Sequence, residues 1–458
     1  MGRAELPRWD RTTLAAGIML GVLVVFYVLN AFDRTILSLM VVYVKRDLHV
    51  ADSQVGLLLG LAFAIFYGTF GIPVGALIDR VSRRIVLFGG VVLWSLATVG
   101  CAFAGSFGQL LAARMFLGIG EATLMPAAHS LLADGFPARR LNTALSIYAL
   151  GGVLGISLAA AIGGVAVAHF NQYAHIAIPS LGAVRGWQFP FVILGIAGLT
   201  LAALAFSFGE PARLRPSSAG PPASFAQALV GRRLVVGCIL TSYVTFSMVL
   251  YGVVLWTPTF MARTFHWTPA QVGPAYAMVH IVGAGVGTLL GGMVVDWLVA
   301  KGRADAHFRV FLACLTVGAP AGLLAFLSRD PAIFLVMATI FFFFAFSYSG
   351  YAAAAVQAVS PPGARGRMAA MYQLLLILGG SGMGPWLIGL LTDNLFHDEA
   401  RLGLSIVLMI AVLTPISMLA AWLGLKPMRA AVAELARQGA QVIADTTAPA
   451  AGAGRVPA

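Results

Sequence analysis

Apolar residues run through this chain in blocks of about twenty or more, broken by short polar stretches. The blocks start near Thr12, Ser53, Ile85, Phe107, Leu141, Trp187, Leu234, Pro269, Phe308, Pro331, Met368 and Leu402. A helix rising 1.5 Å per residue needs roughly 20 apolar residues to cross the hydrocarbon of a bilayer, so the pattern predicts an all-α integral membrane protein of twelve spans. A polar, Pro-rich stretch, "GEPARLRPSSAGPPASFAQALVGRR", separates six blocks from six. Two six-helix bundles are therefore expected over 1–209 and 233–425, with a cytoplasmic linker at 210–232 and a tail at 426–458. The tail opens with "KPMRAAVAELARQGAQ", read as a short amphipathic helix, and closes with "TTAPAAGAGRVPA". That last stretch has too little apolar content to fold and is expected to be disordered.

Composition sharpens the class. Of 458 residues 60% are hydrophobic and 10% charged, against about 25% charged in a soluble domain. The net charge of +12 is spread over short loops, whereas nucleic-acid binders gather Lys and Arg on one groove or helix face. Of the 29 Lys and Arg, 21 fall on the side of the amino terminus, six on the other side, and Arg34 and Arg114 lie within spans. Such asymmetry predicts both termini in the cytoplasm, in the inner (plasma) membrane. The first apolar run is too long for a signal-peptide core and is read as a retained helix. Cys101, Cys238 and Cys314 stand far apart in apolar runs, a spacing that suggests neither disulfides nor a metal cluster. No cofactor and no metal are expected, the lipid bilayer is the surrounding partner, and a monomer is the expected state.

The two halves repeat. Gly75 and Asp79, followed by Arg80, Arg83 and Arg84, close the second block; Gly292 and Asp296, followed by Lys301 and Arg303, close the eighth. Pro137, Tyr148 and Leu150 are echoed by Pro361, Tyr372 and Leu374. An even number of spans gives both copies the same orientation, and parallel repeats of this kind bind substrate between the halves near the midplane.

The pattern Gly75-x-x-x-Asp79-Arg80-x-x-Arg83-Arg84 between the second and third spans resembles the signature loop of the major facilitator superfamily. Within it, "NAFDRTILS", "ADSQVGLLLGLAFAIFYGTFGIPVG" and "ARMFLGIGEATLMPAAHSLLADGFPARRLNTALSIYALG" look like the spinster-type branch. Animal members of that branch export sphingosine-1-phosphate or lysophospholipids. The resemblance implies the major facilitator fold, transport by alternating access, and a functional role for the charged residues within the spans. Independently of family, Gly75 would let the second helix approach a neighbour, Asp79 can accept hydrogen bonds from an adjacent helix terminus or Arg, and the Arg cluster suits anionic lipid.

Charges inside the spans cost several kcal/mol, roughly 3 or more each, unless paired or wet. Asp33 and Arg34 lie in the first span, and Arg114 and Glu121 lie on one face of the fourth. At 1.5 Å per residue these sit roughly 10–20 Å deep. They are expected to form one network of zero net charge facing a central cavity. Burial and a neighbouring Arg push a carboxyl pKa in opposite directions, so a change in helix spacing is expected to load and release a proton at Asp33 or Glu121. The alternative is an ion network that only holds the first and fourth helices together.

The second half has a single deep ionisable candidate, His280, and offers aromatics instead: Tyr243, Tyr251, Trp256, Tyr348, Tyr351 and Tyr372. Those facing the cavity would suit an amphiphile or hydrophobic anion. Glycine-rich stretches in the fifth and eleventh spans, with Gly384-Pro385, suggest close packing or a kink. His129 and Asp134 show the H-x4-D spacing of some acyltransferases, with no supporting downstream set, so an enzyme is not expected. The expected function is a proton-coupled transporter of an amphipathic or anionic organic substrate, with drug efflux, sugar or small organic acid transport as alternatives.

Overall fold

The computed structural model describes residues 11–178, 182–213, 231–361 and 364–447. Among the described residues twelve helices are long and apolar enough to cross a membrane. In chain order they are α1 (Arg11–Leu48), α2 (Asp52–Arg80), α3 (Arg83–Ala102), α4 (Phe107–Gly135), α5 (Ala138–Phe170) and α6 (Gly186–Phe206), then α7 (Arg233–Phe265), α8 (Pro269–Ala300), α9 (Ala306–Leu327), α10 (Pro331–Ala358), α11 (Arg367–Phe396) and α12 (Leu402–Thr447). Their starts fall within a few residues of those read from the apolar blocks. A two-stranded antiparallel hairpin, β1 (His175–Ile178) and β2 (Gly182–Arg185), links α5 to α6.

The tail departs from expectation. Instead of a separate short helix, α12 continues without a break through Pro427. Met428 and Ala431 are buried and Leu425 and Val432 pack beside them, so the helical spacing of small apolar groups carries the same face onward. The stretch expected to be disordered lies, from residue 448, outside the described residues, as does most of the linker.

Among the first six helices α1 packs on α5, α3 on α4 and α6, and α2 on α4; among the last six α7 packs on α11 and α12, and α9 on α10 and α12. Two seams join these sets, α2 with α11 and α5 with α8, and α1 also meets α7. The internal repeat carries α2 onto α8 and α5 onto α11, so the two seams are one contact made twice. Glycine makes both possible. A Cβ on Gly56 would lie 2.5 Å from the Pro385 carbonyl oxygen, and one on Gly164 would lie 2.5 Å from that of Pro269.

The α2–α11 seam is closed at one end only. Call the end bearing the linker, the 75–84 loop and the tail the near end. At the opposite, far end the helices are in contact from Asp52 to Gly68, where a Cβ would lie 2.9 Å from Leu374. Nearer the near end, Gly71 and Gly75 have nothing within 4 Å of a Cβ. The close approach expected at Gly75 is therefore not made in this conformation, because α2 and α11 have already parted there. Three of the seam helices carry π-helical segments: Leu57–Leu61 in α2, His280–Gly285 in α8, and Leu376–Met383 in α11.

Candidate functional site

Successive residues of a helix point about 100° apart, and α1 uses this to send Asp33 and Arg34 to different neighbours. Asp33 is buried and accepts a hydrogen bond from the Thr98 hydroxyl of α3. Arg34 turns to α4, where its Nε donates to Glu121 Oε2 at 2.5 Å. The pair is lopsided: the Arg34 side chain is 31% exposed and that of Glu121 0%. The guanidinium also lies 4.1 Å above the Phe63 ring and 5.2 Å from that of Tyr67, both on α2, a stacking that holds a cation without spending its hydrogen bonds. One oxygen of each acid, Asp33 Oδ1 and Glu121 Oε1, has no hydrogen-bond partner among the described residues.

Arg114 goes elsewhere. It is fully buried, donating Nε to the Leu58 carbonyl at 3.2 Å and Nη1 to the Asp33 carbonyl at 3.5 Å. Leu58 belongs to the π segment of α2, where the wider turn breaks the regular i to i−4 ladder and leaves carbonyls to other donors. At hydrogen-bond distance the expected four-membered charge network consists of one ion pair, one carboxylate on a hydroxyl, and one arginine on backbone carbonyls, with Asp33 within electrostatic range of Glu121, Arg114 and Arg34. Depth placed the four residues together, but the angle between neighbours on α1 keeps them from sharing one partner.

The aromatic candidates divide. Tyr251 lies within electrostatic range of Arg34. Tyr27 stacks on Tyr148 at 4.8 Å. Tyr348 and Tyr372 pack on Tyr243 at 5.9 and 6.5 Å between ring centres, Tyr351 lies 6.2 Å from His307, and all four tyrosines are buried. Trp256 is completely buried, its indole donating to the Pro385 carbonyl at 2.8 Å, so it fixes packing and lines no cavity. His280 is equally buried, 3.2 Å from the Ser157 hydroxyl across the α5–α8 seam.

At the near end the signature loop is built around Arg83, which is only 1% exposed. Its guanidinium meets Asp134, Glu210 at 3.0 Å, and the carbonyls of Ser130 and Pro211 at 3.2 and 2.6 Å. Arg84 donates to the Phe208 carbonyl at 2.7 Å. Burial works to raise the Glu210 pKa, but hydrogen bonds from Ser82 and Arg83 outweigh it and hold the carboxyl below its ordinary value. Asp79 and Arg80 are exposed, as is Asp296 in the second copy, and Gly292 makes only ordinary contact with Gly350. Asp134 is occupied by Arg83, and His129 stands edge-on to Tyr148, so the H-x4-D dyad is not assembled. No group of three or more His, Cys, Asp or Glu among the described residues is placed to hold a metal ion.

Thr98, Glu210 and Asp393 carry interactions that sequence reasoning missed. Glu210 alone left a trace, as a single acid opening an otherwise basic linker.

Several known proteins resemble this one over most of their length. An MFS-type efflux pump of Mycolicibacterium smegmatis is 28% identical over 91% of this chain and 94% of its own. The sphingosine-1-phosphate transporter SPNS2 of Xenopus tropicalis is 24% identical over 86% and 77%. Among solved structures, a bacterial homolog of the human lysosomal transporter Spinster, in an inward-facing and unoccupied conformation, superposes with a TM-score of 0.71 at 24% identity, covering 93% of this chain and 96% of that one. A sequence profile of the Major Facilitator Superfamily matches residues 23–381. With twelve membrane helices in that fold, the chain belongs to the Major Facilitator Superfamily and is a membrane transporter, similar to spinster-type members of that superfamily.

Proposed function

We propose that the chain is a proton-coupled secondary transporter of an anionic amphiphile, lysophospholipid-like in build, working by alternating access between two six-helix units divided at residues 210–232. The near end is taken as cytoplasmic, which makes the parted side of the α2–α11 seam an inward opening. The observation that carries the reading is the lopsided pair of partly exposed Arg34 and sealed Glu121. A cation bound to a buried carboxylate and resting on aromatic rings is available to an anionic head group only when that carboxylate gives it up. Protonating Glu121 removes the competing charge, and the proton has a place on Oε1, beside the Asn30 side chain. Asp33, held by Thr98 and lacking a cationic partner of its own at hydrogen-bond distance, is the second proton carrier. Phe63, Tyr67 and Tyr251 around Arg34 supply apolar surface for the body of the substrate.

Flux into proteoliposomes under an imposed pH gradient tests this against lysophospholipids, organic anions and cationic dyes. Saturable, gradient-driven lysophospholipid movement, uncoupled from the gradient in Glu121→Gln, is the expected result. Flux that ignores the gradient and is unchanged in Glu121→Gln would leave the pair a purely structural tie. The efflux-pump relative favours a second reading, extrusion of hydrophobic drugs, which movement of dyes alone would support.

A further inference from the structure

The first turn of α2 is capped from the other half of the molecule. Its N-cap residue is Ala51, where Ser, Thr, Asp or Asn ordinarily supplies the oxygen that accepts the first free N–H groups. Gln54 takes the Ala51 N–H at 2.9 Å, but the next two donors leave the bundle. Asp52 N and Ser53 N donate to the two oxygens of Asp393, on α11, at 3.1 and 2.6 Å.

The same spot holds the charged groups of four elements. The buried Asp52 carboxylate takes Lys45 of α1 at 2.5 Å and both terminal nitrogens of Arg263 of α7 at 2.7 and 2.8 Å. Glu399, just before α12, reaches Lys45 at 2.7 Å and Arg263 at 3.3 Å. Three carboxylates thus face two cations, and the surplus charge falls on Asp393, directly against the positive end of α2. Above the cluster lies an open cavity of about 680 Å³ lined by Lys45, Arg263, His266 and Glu399. At the other end of α2 the Asp79 side chain is exposed, and the carbonyls of Ile78, Asp79 and Val81 accept hydrogen bonds from Arg213.

We propose that Asp393 is a positioning residue of the transport cycle: by capping α2 across the seam it locks the far gate shut, and the inward-open conformation depends on that borrowed cap. A helix that lacked only a local cap would be weak in both conformations. A helix capped by its opposite number is strong in one, so the missing side chain at Ala51 becomes a device for favouring the closed far end. The proposal rests on the alternating-access reading, but its test needs neither substrate nor proton.

The experiment is alkylation by a membrane-impermeant maleimide, with Cys101, Cys238 and Cys314 replaced by alanine. Val55→Cys, buried beneath the lock, reports far-end opening, and Gly71→Cys reports near-end opening. Asp393→Ala is expected to raise far-end labelling at least threefold and lower near-end labelling, and Asp393→Glu to restore both. Ala51→Ser gives α2 a cap of its own and is expected to raise far-end labelling while thermal stability holds or rises. That combination separates a gate from a simple structural cap and survives if Asp393→Ala fails to fold. Unchanged labelling in folded Asp393→Ala and Ala51→Ser, or a rise at both ends together, would overturn the proposal and leave the proton and substrate assignments untouched.

Discussion

Arg114 Nε and the Leu58 carbonyl oxygen are 3.2 Å apart, so a fully buried cation of the first bundle is held by backbone. Its second donor reaches the carbonyl of Asp33, which ties α4 to α1 and to the π segment of α2 at once. Arg114→Leu would leave the Leu58 oxygen without this donor. Losing a hydrogen bond from a charged group costs about 1.5–3 kcal/mol, which should appear as a lower midpoint in thermal unfolding of the detergent-solubilised protein. Arg114→Lys, with one nitrogen in place of a fork, should recover part of the loss.

Arg83 presents a different balance, with two carboxylates and two carbonyls converging on one guanidinium. Removing one partner of a buried charged set costs about 3–5 kcal/mol. Asp134 and Glu210 are each partly exposed, which brings the expected penalty for Arg83→Ala to the lower end of that range. Thermal unfolding of Arg83→Ala beside wild type measures it.

Glu210 gives that latch a pH dependence with a definite sign. Its pKa in the folded protein is below that of the unfolded chain, which for Glu is about 4.3. Its stabilising contribution is complete above the unfolded value and is lost as pH falls through the folded one. The wild-type advantage in melting temperature over Glu210→Gln should therefore be steady near neutrality and shrink below about pH 4.3. An advantage that grew on acidification would contradict the assignment.

Gly60 sits where the π segments of α2 and α11 meet, and a Cβ there would collide with the carbonyl of Ser381 and come within 2.7 Å of that of Gly382. Backbone cannot yield as a side-chain tip can. Gly60→Ala should cost about 1–3 kcal/mol through overpacking, and cysteine pairs across this seam should crosslink more slowly in the variant.

Trp256→Phe separates packing from substrate contact. It removes the indole bond to Pro385, for a loss of about 1 kcal/mol in thermal stability. The apparent KM for transported substrate should stay unchanged, whereas Tyr251→Ala, near Arg34, should raise it.

The helices were legible in the sequence because a bilayer demands one simple thing, some twenty apolar residues, and α1 to α12 each meet it. Asp33, Arg34, Arg114 and Glu121 were legible for the complementary reason: charge in such a segment is costly and must have a partner. Which partner was not legible. The pairing of Arg34 with Glu121, and the diversion of Arg114 to Leu58, depend on the azimuth of each helix and on a π turn that composition does not announce. His280 stood out as the deep ionisable group of the second half and Trp256 as one of its aromatics, yet Ser157 and Pro385 meet their polar atoms from neighbouring helices. Asp393 was invisible, since its partners are the backbone N–H groups of a helix over 300 residues away.

The unbroken run of α12 beyond Leu425 has a mechanical meaning. From Lys426 to Thr447 the helix extends roughly 33 Å at 1.5 Å per residue. Near its base Arg429 contacts Asp305 at 3.2 Å, which couples the rod to the start of α9. A helix of that length moves its tip by about 0.6 Å for each degree its base tilts. A small tilt of α12 against α9 is therefore written large at the helix end, where a fluorophore can follow it.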